Sequence, residues 1–152
     1  VEEYIREARQ SIWDLRAPAL EQRSLSHALR EVGARAVENR AVSLDVSVKG
    51  APQSCPPAVE QQLLLICQEA LTNAVRHGSP HRIDVELEYG NKQVSVRVSD
   101  DGRGFDPAHV EKVTGHYGVL SMRERAAQVR GRLTIASKPG NGTRVEAIVP
   151  VV

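Results

Sequence analysis

The sequence predicts a two-layer α/β sandwich with a mixed, mainly antiparallel sheet. Three observations lead there. The apolar period changes from about 3.6 to 2 near residue 40, two pairs of alternating runs are each joined by a glycine-containing turn, and each run is apolar on one face only. Strands of that kind need cover, which the helical segments between them supply.

Val1, Ile5, Ala8, Ile12 and Leu15 recur at alternating four- and three-residue steps. Over about two heptads this fits either a coiled-coil seam or an amphipathic helix on the chain's own domain. Pro18 limits that helix, because it has no N–H and disfavours the α region at Ala17. Ser24 is a good N-cap for a second helix through Leu25, Leu29, Val32 and Ala36. Val42, Leu44, Val46 and Val48 then alternate with Ser43, Asp45, Ser47 and Lys49 as a half-buried strand. Gly50 to Pro57 is a loop with three prolines. A long helix is expected from Ala58 to His77, with Val59, Leu63, Ile66, Ala70 and Ala74 on one face. Ile83, Val85, Leu87 and Val94, Val96, Val98 make a hairpin across Gly90-Asn91. Val119 to Arg130 reads as a helix. Leu133 to Ala136 and Arg144 to Val149 read as a last hairpin across Pro139-Gly140-Asn141-Gly142.

The 152 residues, 41% hydrophobic, suffice for one core. An aromatic content of 3% argues against base-stacking platforms, and a net charge of +1 against a nucleic-acid or membrane-surface protein. No run of 18 apolar residues and no signal-peptide pattern is present. Cys55 and Cys67 have neither CxxC nor zinc spacing, which fits reduced thiols in a cytosolic setting. Val1 falls within a helical pattern, so a longer parent chain is expected, with any membrane anchor or sensor upstream.

The stretch from Asp100 to Met122, DDGRGFDPAHVEKVTGHYGVLSM, carries the strongest chemical signal. Gly102 and Gly104 let backbone come within contact distance of a flat ligand, and Asp100 ends an apolar strand with a hydrogen-bond acceptor. Gly115 and Gly118 permit hinge motion and leave backbone N–H groups at a helix start, which suits a phosphate chain. This pattern reads as a nucleotide pocket with a lid. Upstream, QEALTNAVRHG spaces Glu69, Asn73 and His77 four apart, with Arg76 three after Asn73, so all four are expected on roughly one side of the helix. Asn73 is a hard oxygen ligand for Mg²⁺, Arg76 can pair with phosphate, and Glu69 can take a proton or orient a nucleophile. A solvated polar stripe is the plainer reading of that helix alone. There is no P-loop string, GRG lacks the third glycine and the βαβ setting of a Rossmann site, and Asp100-Asp101 point to opposite faces rather than forming a glycosidase pair.

In this order the elements resemble the GHKL family of ATP-binding domains, which have the Bergerat-type fold. QEALTNAVRHG is similar to its N box, DDGRGFD to its G1 box, GHYGVLSMRERA to its G2 box and GNGTRVEAIVP to its last hairpin. The likeness covers about Val42 to Pro150, and in detail is greatest to sensor histidine kinases paired with NarL-type response regulators, where Glu commonly stands where Glu69 does. Ser11 to Glu31 is similar to the end of that subfamily's dimerisation helix and linker. The resemblance therefore implies residues 1–39 as dimerisation-helix end and linker helix, and residues 40–152 as the ATP-binding catalytic domain.

It further implies that Asp100 accepts from the adenine amino group, with Gly102 and Gly104 fitting the base. Asn73 would hold Mg²⁺, Arg76 and His77 would lie near the phosphates, Gly115, Gly118 and Leu120 would form the lid and its base, and Thr143 would bond near Asp100. Glu69 would serve the attacking imidazole. Asp101 stands where many members have Asn, and Gly78 after His77 suits a helix C-cap. None of His27, His81, His109 or His116 precedes an acidic residue, so the phosphoacceptor histidine is expected upstream of Val1, in the parent protein's own dimerisation domain. A homodimer, a response regulator as partner, no nucleic acid and a cytoplasmic location follow from the same likeness. Three alternatives stay open: a serine kinase of anti-sigma type, a gyrase-related hydrolase using Glu69 on water, and a non-catalytic nucleotide-binding module.

Overall fold

The computed structural model describes residues 24–107 and 117–151. The helix expected over Val1–Leu15 lies outside the described residues. In order come α1 (Leu25–Ala36), β1 (Ser43–Lys49), α2 (Pro57–Asn73), a π-helical turn (Ala74–Gly78), β2 (Arg82–Gly90), β3 (Gln93–Asp100), α3 (Tyr117–Gln128), β4 (Arg132–Ser137) and β5 (Thr143–Pro150). The strands form one five-stranded sheet in the order β1-β2-β3-β5-β4. β1 runs parallel to β2 and the other three pairs are antiparallel, giving the expected mixed sheet.

The two faces of the sheet follow from the alternating pattern. Register aligns Val46, Val85, Val98, Val145 and Ile135 in one row across all strands, and Val48, Leu87, Val96, Ala147 and Leu133 in the next. These rows face the helices. On the other face Ser47, Glu86, Arg97, Glu146 and Thr134 align. There Lys49 pairs with Glu86 at 3.0 Å, and Arg97 bridges Glu86 and Glu146. Lys49 and then Arg97 hold the Glu86 carboxyl below its ordinary range. An open face with alternating charge can remain in water without a covering layer.

α2 occupies the centre of the helical layer. Pro56 and Pro57 open it, with Pro57 where a missing N–H costs nothing. The expected apolar stripe is present but too narrow a description. Leu64, Leu65, Cys67 and Leu71 are buried along with Val59, Leu63, Ile66 and Ala70, because α1 and α3 flank the helix while the sheet lies beneath it. Burial pushes the Cys67 thiol up to about 12, and both cysteines are free, so neither is a ready thiolate. α1 packs Leu25, Ala28, Leu29 and Val32 into the same core, and the Ser24 hydroxyl caps it by accepting the His27 N–H at 3.2 Å.

The end of α2 differs from expectation. Regular helix stops at Asn73 rather than His77, and Ala74–Gly78 form the wider π turn. The left-handed position is taken by Ser79, at φ 46° and ψ 53°, and not by Gly78 as its C-cap pattern predicted. Pro80 follows, and a residue before proline is kept out of the right-handed helical region. α3 begins at Tyr117, slightly before the expected Val119, and ends at Gln128.

Leu63→Ala, at a fully buried position on α2, should lower stability by about 2–5 kcal/mol. Glu86→Gln on the open face should cost about 1 kcal/mol or less. Urea unfolding midpoints of the two variants test this difference.

Candidate nucleotide site

One row of the sheet departs from the apolar pattern. Leu44, Ile83, Asp100, Thr143 and Ser137 are in register across the five strands, on the face that carries Val98 and Val145 in the row behind. The row is apolar at β1 and β2 and polar at β3, β5 and β4. It lies at the end of the sheet adjoining the π turn, where a Cβ on Gly78 would sit 3.5 Å from Asp100 Oδ1.

Asp100 is half-buried. Burial raises its pKa most, the Gly102 N–H opposes that by donating to Oδ1 at 2.8 Å, the charge of Asp101 raises it further, and the Thr143 N–H lowers it. Asp101 turns the other way: its Oδ1 accepts the N–H groups of His81 at 2.8 Å and Arg82 at 2.9 Å. Those donors hold its carboxyl below the ordinary range. The adjacent aspartates thus point to opposite sides, as the strand period predicted.

Backbone contacts fix the loop after Asp100. Arg103 N–H donates to Gly78 O at 2.8 Å, and Gly140 N–H donates to Arg103 O at 2.5 Å. Phe105 N–H donates to Ser137 Oγ at 2.8 Å. The glycines stand where a side chain has no room. A Cβ on Gly102 would sit 2.3 Å from Gly78 O, and one on Gly104, at φ +66°, 2.0 Å from Lys138 O.

On α2, Glu69 and Asn73 are half-buried, one helical turn apart. The first turn of α3 lies against both: a Cβ on Gly118 would be 2.5 Å from Glu69 Oε1 and 3.1 Å from Asn73 Nδ2. Arg76 and His77 are exposed on the π turn, so α-helical spacing does not place them on the stripe of Glu69 and Asn73, as had been expected. Leu120 is 54% exposed on α3. Gly115 lies outside the described residues.

The structure therefore gathers Asp100, Gly102, Gly104 and Thr143 at the strand ends, and Glu69, Asn73 and Gly118 where α2 meets α3. The π turn joins the groups through Gly78. Sequence reasoning missed Ser137, the carbonyl of Gly78 and the capping role of Asp101. Counting strand register back from the Gly140–Gly142 turn would have placed Ser137 beside Thr143.

An open mixed sheet with helices on one face makes an α/β sandwich, with a half-buried carboxylate beside two close-packed glycines at its strand ends. The chain belongs to the family of histidine kinase-, DNA gyrase B- and HSP90-like ATPases, whose model matches residues 58–152. Membership makes ATP the nucleotide. It is 31% identical over 151 residues to a signal transduction histidine-protein kinase/phosphatase, DegS, of Brevibacillus brevis, covering 99% of this chain and 39% of that protein. It is 32% identical over 145 residues to the sensor histidine kinase LiaS of Bacillus subtilis strain 168, covering 95% of this chain and 39% of the relative. The chain thus spans about two fifths of the length of these curated relatives. In fold it is similar to the histidine kinase domain of a blue-light activated histidine kinase from Erythrobacter litoralis, with a TM-score of 0.66 at 23% identity, covering 84% of this chain and 61% of that one.

The two glycine contacts should respond differently to a methyl group. Gly104→Ala meets a backbone carbonyl at a left-handed residue and should cost more than about 1 kcal/mol in thermal unfolding. Gly118→Ala meets the movable end of Glu69 and should leave the melting temperature within about 2 °C while displacing that carboxylate, a shift a crystal structure of the variant would reveal.

Proposed function

We propose that this chain is the ATP-binding catalytic domain of a two-component sensor histidine kinase. Similarity to sensor kinases across 95–99% of the chain supports the kinase class. The observation that carries the site assignment is Asp100, a half-buried carboxylate whose Oδ1 accepts the Gly102 N–H at 2.8 Å at the start of the glycine loop. It accepts from the adenine amino group, while Gly102 and Gly104 give the ring room against backbone. Thr143, its register partner, bonds beside it. Residues 1–39 belong to the end of the dimerisation helix and the linker, and residues 40–152 to the catalytic domain.

Asn73 would supply one hard oxygen for Mg²⁺. One protein ligand suffices, because Mg²⁺ at a triphosphate draws its other ligands from phosphate and water. The chemistry such an ion would supply there is neutralisation of phosphate charge. Arg76 and His77, exposed on the π turn, can swing toward the same phosphates, and Gly118 packs closely on Asn73. Gly115 and Leu120 belong to the lid and its base. Glu69, beside Gly118, acts as the base or orienting group for the attacking imidazole, accepting the N–H of the ring nitrogen that does not attack. Phosphoryl transfer of this kind depends on positioning and charge neutralisation.

The acceptor is a histidine on the parent protein's dimerisation helix, and the phosphoryl group then passes to an aspartate of a response regulator. The parent protein is a homodimer, and this domain works in the cytoplasm. Among the described residues no helix is long and apolar enough to cross a membrane.

Calorimetric titration with a non-hydrolysable ATP analogue, with and without Mg²⁺, tests the pocket. Asp100→Asn should weaken binding about tenfold or more, since the amide can present a donor where an acceptor is required. Asn73→Asp should alter the Mg²⁺ dependence while sparing the fold. Undiminished affinity in Asp100→Asn, or an unchanged Mg²⁺ dependence in a folded Asn73→Asp, removes that residue from the site.

Lowering the pH should weaken ATP binding beginning above the ordinary aspartate range. The raised pKa of Asp100 means that it takes up a proton early, and the protonated form is the poorer acceptor. Asp100→Asn should flatten that profile. Glu69→Gln, placed in the parent kinase, should keep ATP affinity while acid-labile, base-stable phosphorylation falls about 10²–10⁴-fold. Transfer at the normal rate would remove Glu69 from the chemistry.

A further inference from the structure

Ser137 has hydrogen-bond partners that together fix the direction of a neighbouring proton. Its Oγ accepts the Phe105 N–H at 2.8 Å, lies 3.0 Å from Gly142 O and lies 2.9 Å from Thr143 Oγ1. A hydroxyl has one proton and two lone pairs. Gly142 O can only accept, so the Ser137 proton goes there. Phe105 N–H can only donate, so it takes one lone pair. The third bond is then complete only if the Thr143 hydroxyl donates to Ser137. Its proton spent, Thr143 Oγ1 has only lone pairs left to offer.

Asp100 lies across from Thr143 in register, on the same face. Its Oδ1 already takes a backbone N–H, and as a carboxylate it offers no donor. Two acceptors therefore stand side by side at the strand ends. An exocyclic amino group, with two N–H donors, complements that pair, whereas the carbonyl oxygen that guanine carries at the corresponding position does not.

We propose that Ser137 is a specificity-determining residue, acting by holding the Thr143 hydroxyl proton away from the nucleotide so that the pocket selects adenine over guanine. The proposal rests on the ATP-site reading above. Ser137 touches no nucleotide in this scheme and is a positioning residue. Without it, Thr143 is free to rotate its hydroxyl and donate toward a carbonyl, which admits GTP.

The test is the ratio of affinities of this chain for non-hydrolysable ATP and GTP analogues in Mg²⁺. Ser137→Ala should narrow the ratio by about three- to tenfold, through weaker ATP and stronger GTP binding. Ser137→Thr, which keeps the hydroxyl, should restore it. Thr143→Val, which keeps the shape but removes the lone pairs, should narrow it similarly, and the double variant Ser137→Ala/Thr143→Val should show no further loss. Equal weakening of both nucleotides by Ser137→Ala would make the serine a loop fastener only and overturn the proposal. So would an unchanged ratio in Thr143→Val, which remains decisive if Ser137→Ala does not fold. A wild-type chain that binds neither analogue overturns the ATP-site reading and this proposal with it. Wild-type binding with an unaltered ratio in the variants overturns this proposal alone.

Discussion

The burial of α2 on nearly all sides constrains everything else in this molecule. Leu63, Leu64, Ile66, Cys67 and Leu71 are inaccessible or nearly so, and each large apolar side chain contributes about 1.5–3 kcal/mol when removed from water. Turning the helix by one residue, about 100°, would expose several of them at once. Its rotation is therefore fixed, and with it the positions of Glu69 and Asn73, which occupy the part of the surface facing Gly118. The regular helix ends at Asn73, near the end of its buried surface. Ala74 is the buried residue of the π turn, whereas Arg76 and His77 are exposed. Leaving the α-helical path there brings the Gly78 carbonyl to the Arg103 N–H, so the turn joins the helical layer to the loop after β3.

The polar row at the strand ends shows how a carboxylate is kept half out of water. Desolvation alone would favour its neutral form, and the charge of Asp101 adds to that pressure. Two responses are visible. Backbone N–H groups of Gly102 and Thr143 approach the charged form of Asp100, and Asp101 is drawn away to the start of β2 by two backbone donors of its own. Gly102 has no Cβ because the Gly78 carbonyl occupies that space, so the same close approach that completes the loop also brings its N–H to Asp100. The result is an acceptor held in place by its own backbone, which in the proposed function would leave little reorganisation for nucleotide binding.

Much of the fold was legible because the strands report their own geometry. Period-two alternation identified all five strands and their buried faces, and the turns at Gly90-Asn91 and Pro139–Gly142 specified both hairpins. The DDGRGFD string placed the glycine loop for the same reason, since close backbone contacts admit no other residue type at Gly102 and Gly104. What escaped was tertiary. Nothing in AVRHG favours a π turn over another α-helical turn; Pro80 and the contact of Gly78 with Arg103 decide it. The breadth of the apolar surface of α2 was under-read because a stripe expectation assumes one covered face, whereas α1 and α3 cover its flanks. Ser137 lay just past the expected end of its strand at Ala136, and its partners Thr143 and the Phe105 N–H are set by the tertiary fold.

The two parts of the site are made of different material. Asp100, Thr143 and Ser137 stand on the ends of hydrogen-bonded strands, whose spacing the sheet fixes. Glu69 and Asn73 stand on a helix and meet α3, which is linked to α2 further along by Gln62 with Gln128 and Arg125. A sheet end recognises shape and hydrogen-bond polarity and has little freedom to move. A helix–helix contact made over a glycine sets the backbone of α3 directly against the Glu69 and Asn73 side chains, because Gly118 has no side chain of its own there. In the proposed function, changes along the polar row would act on which base is held, whereas changes where α2 meets α3 would act on what the held nucleotide reacts with.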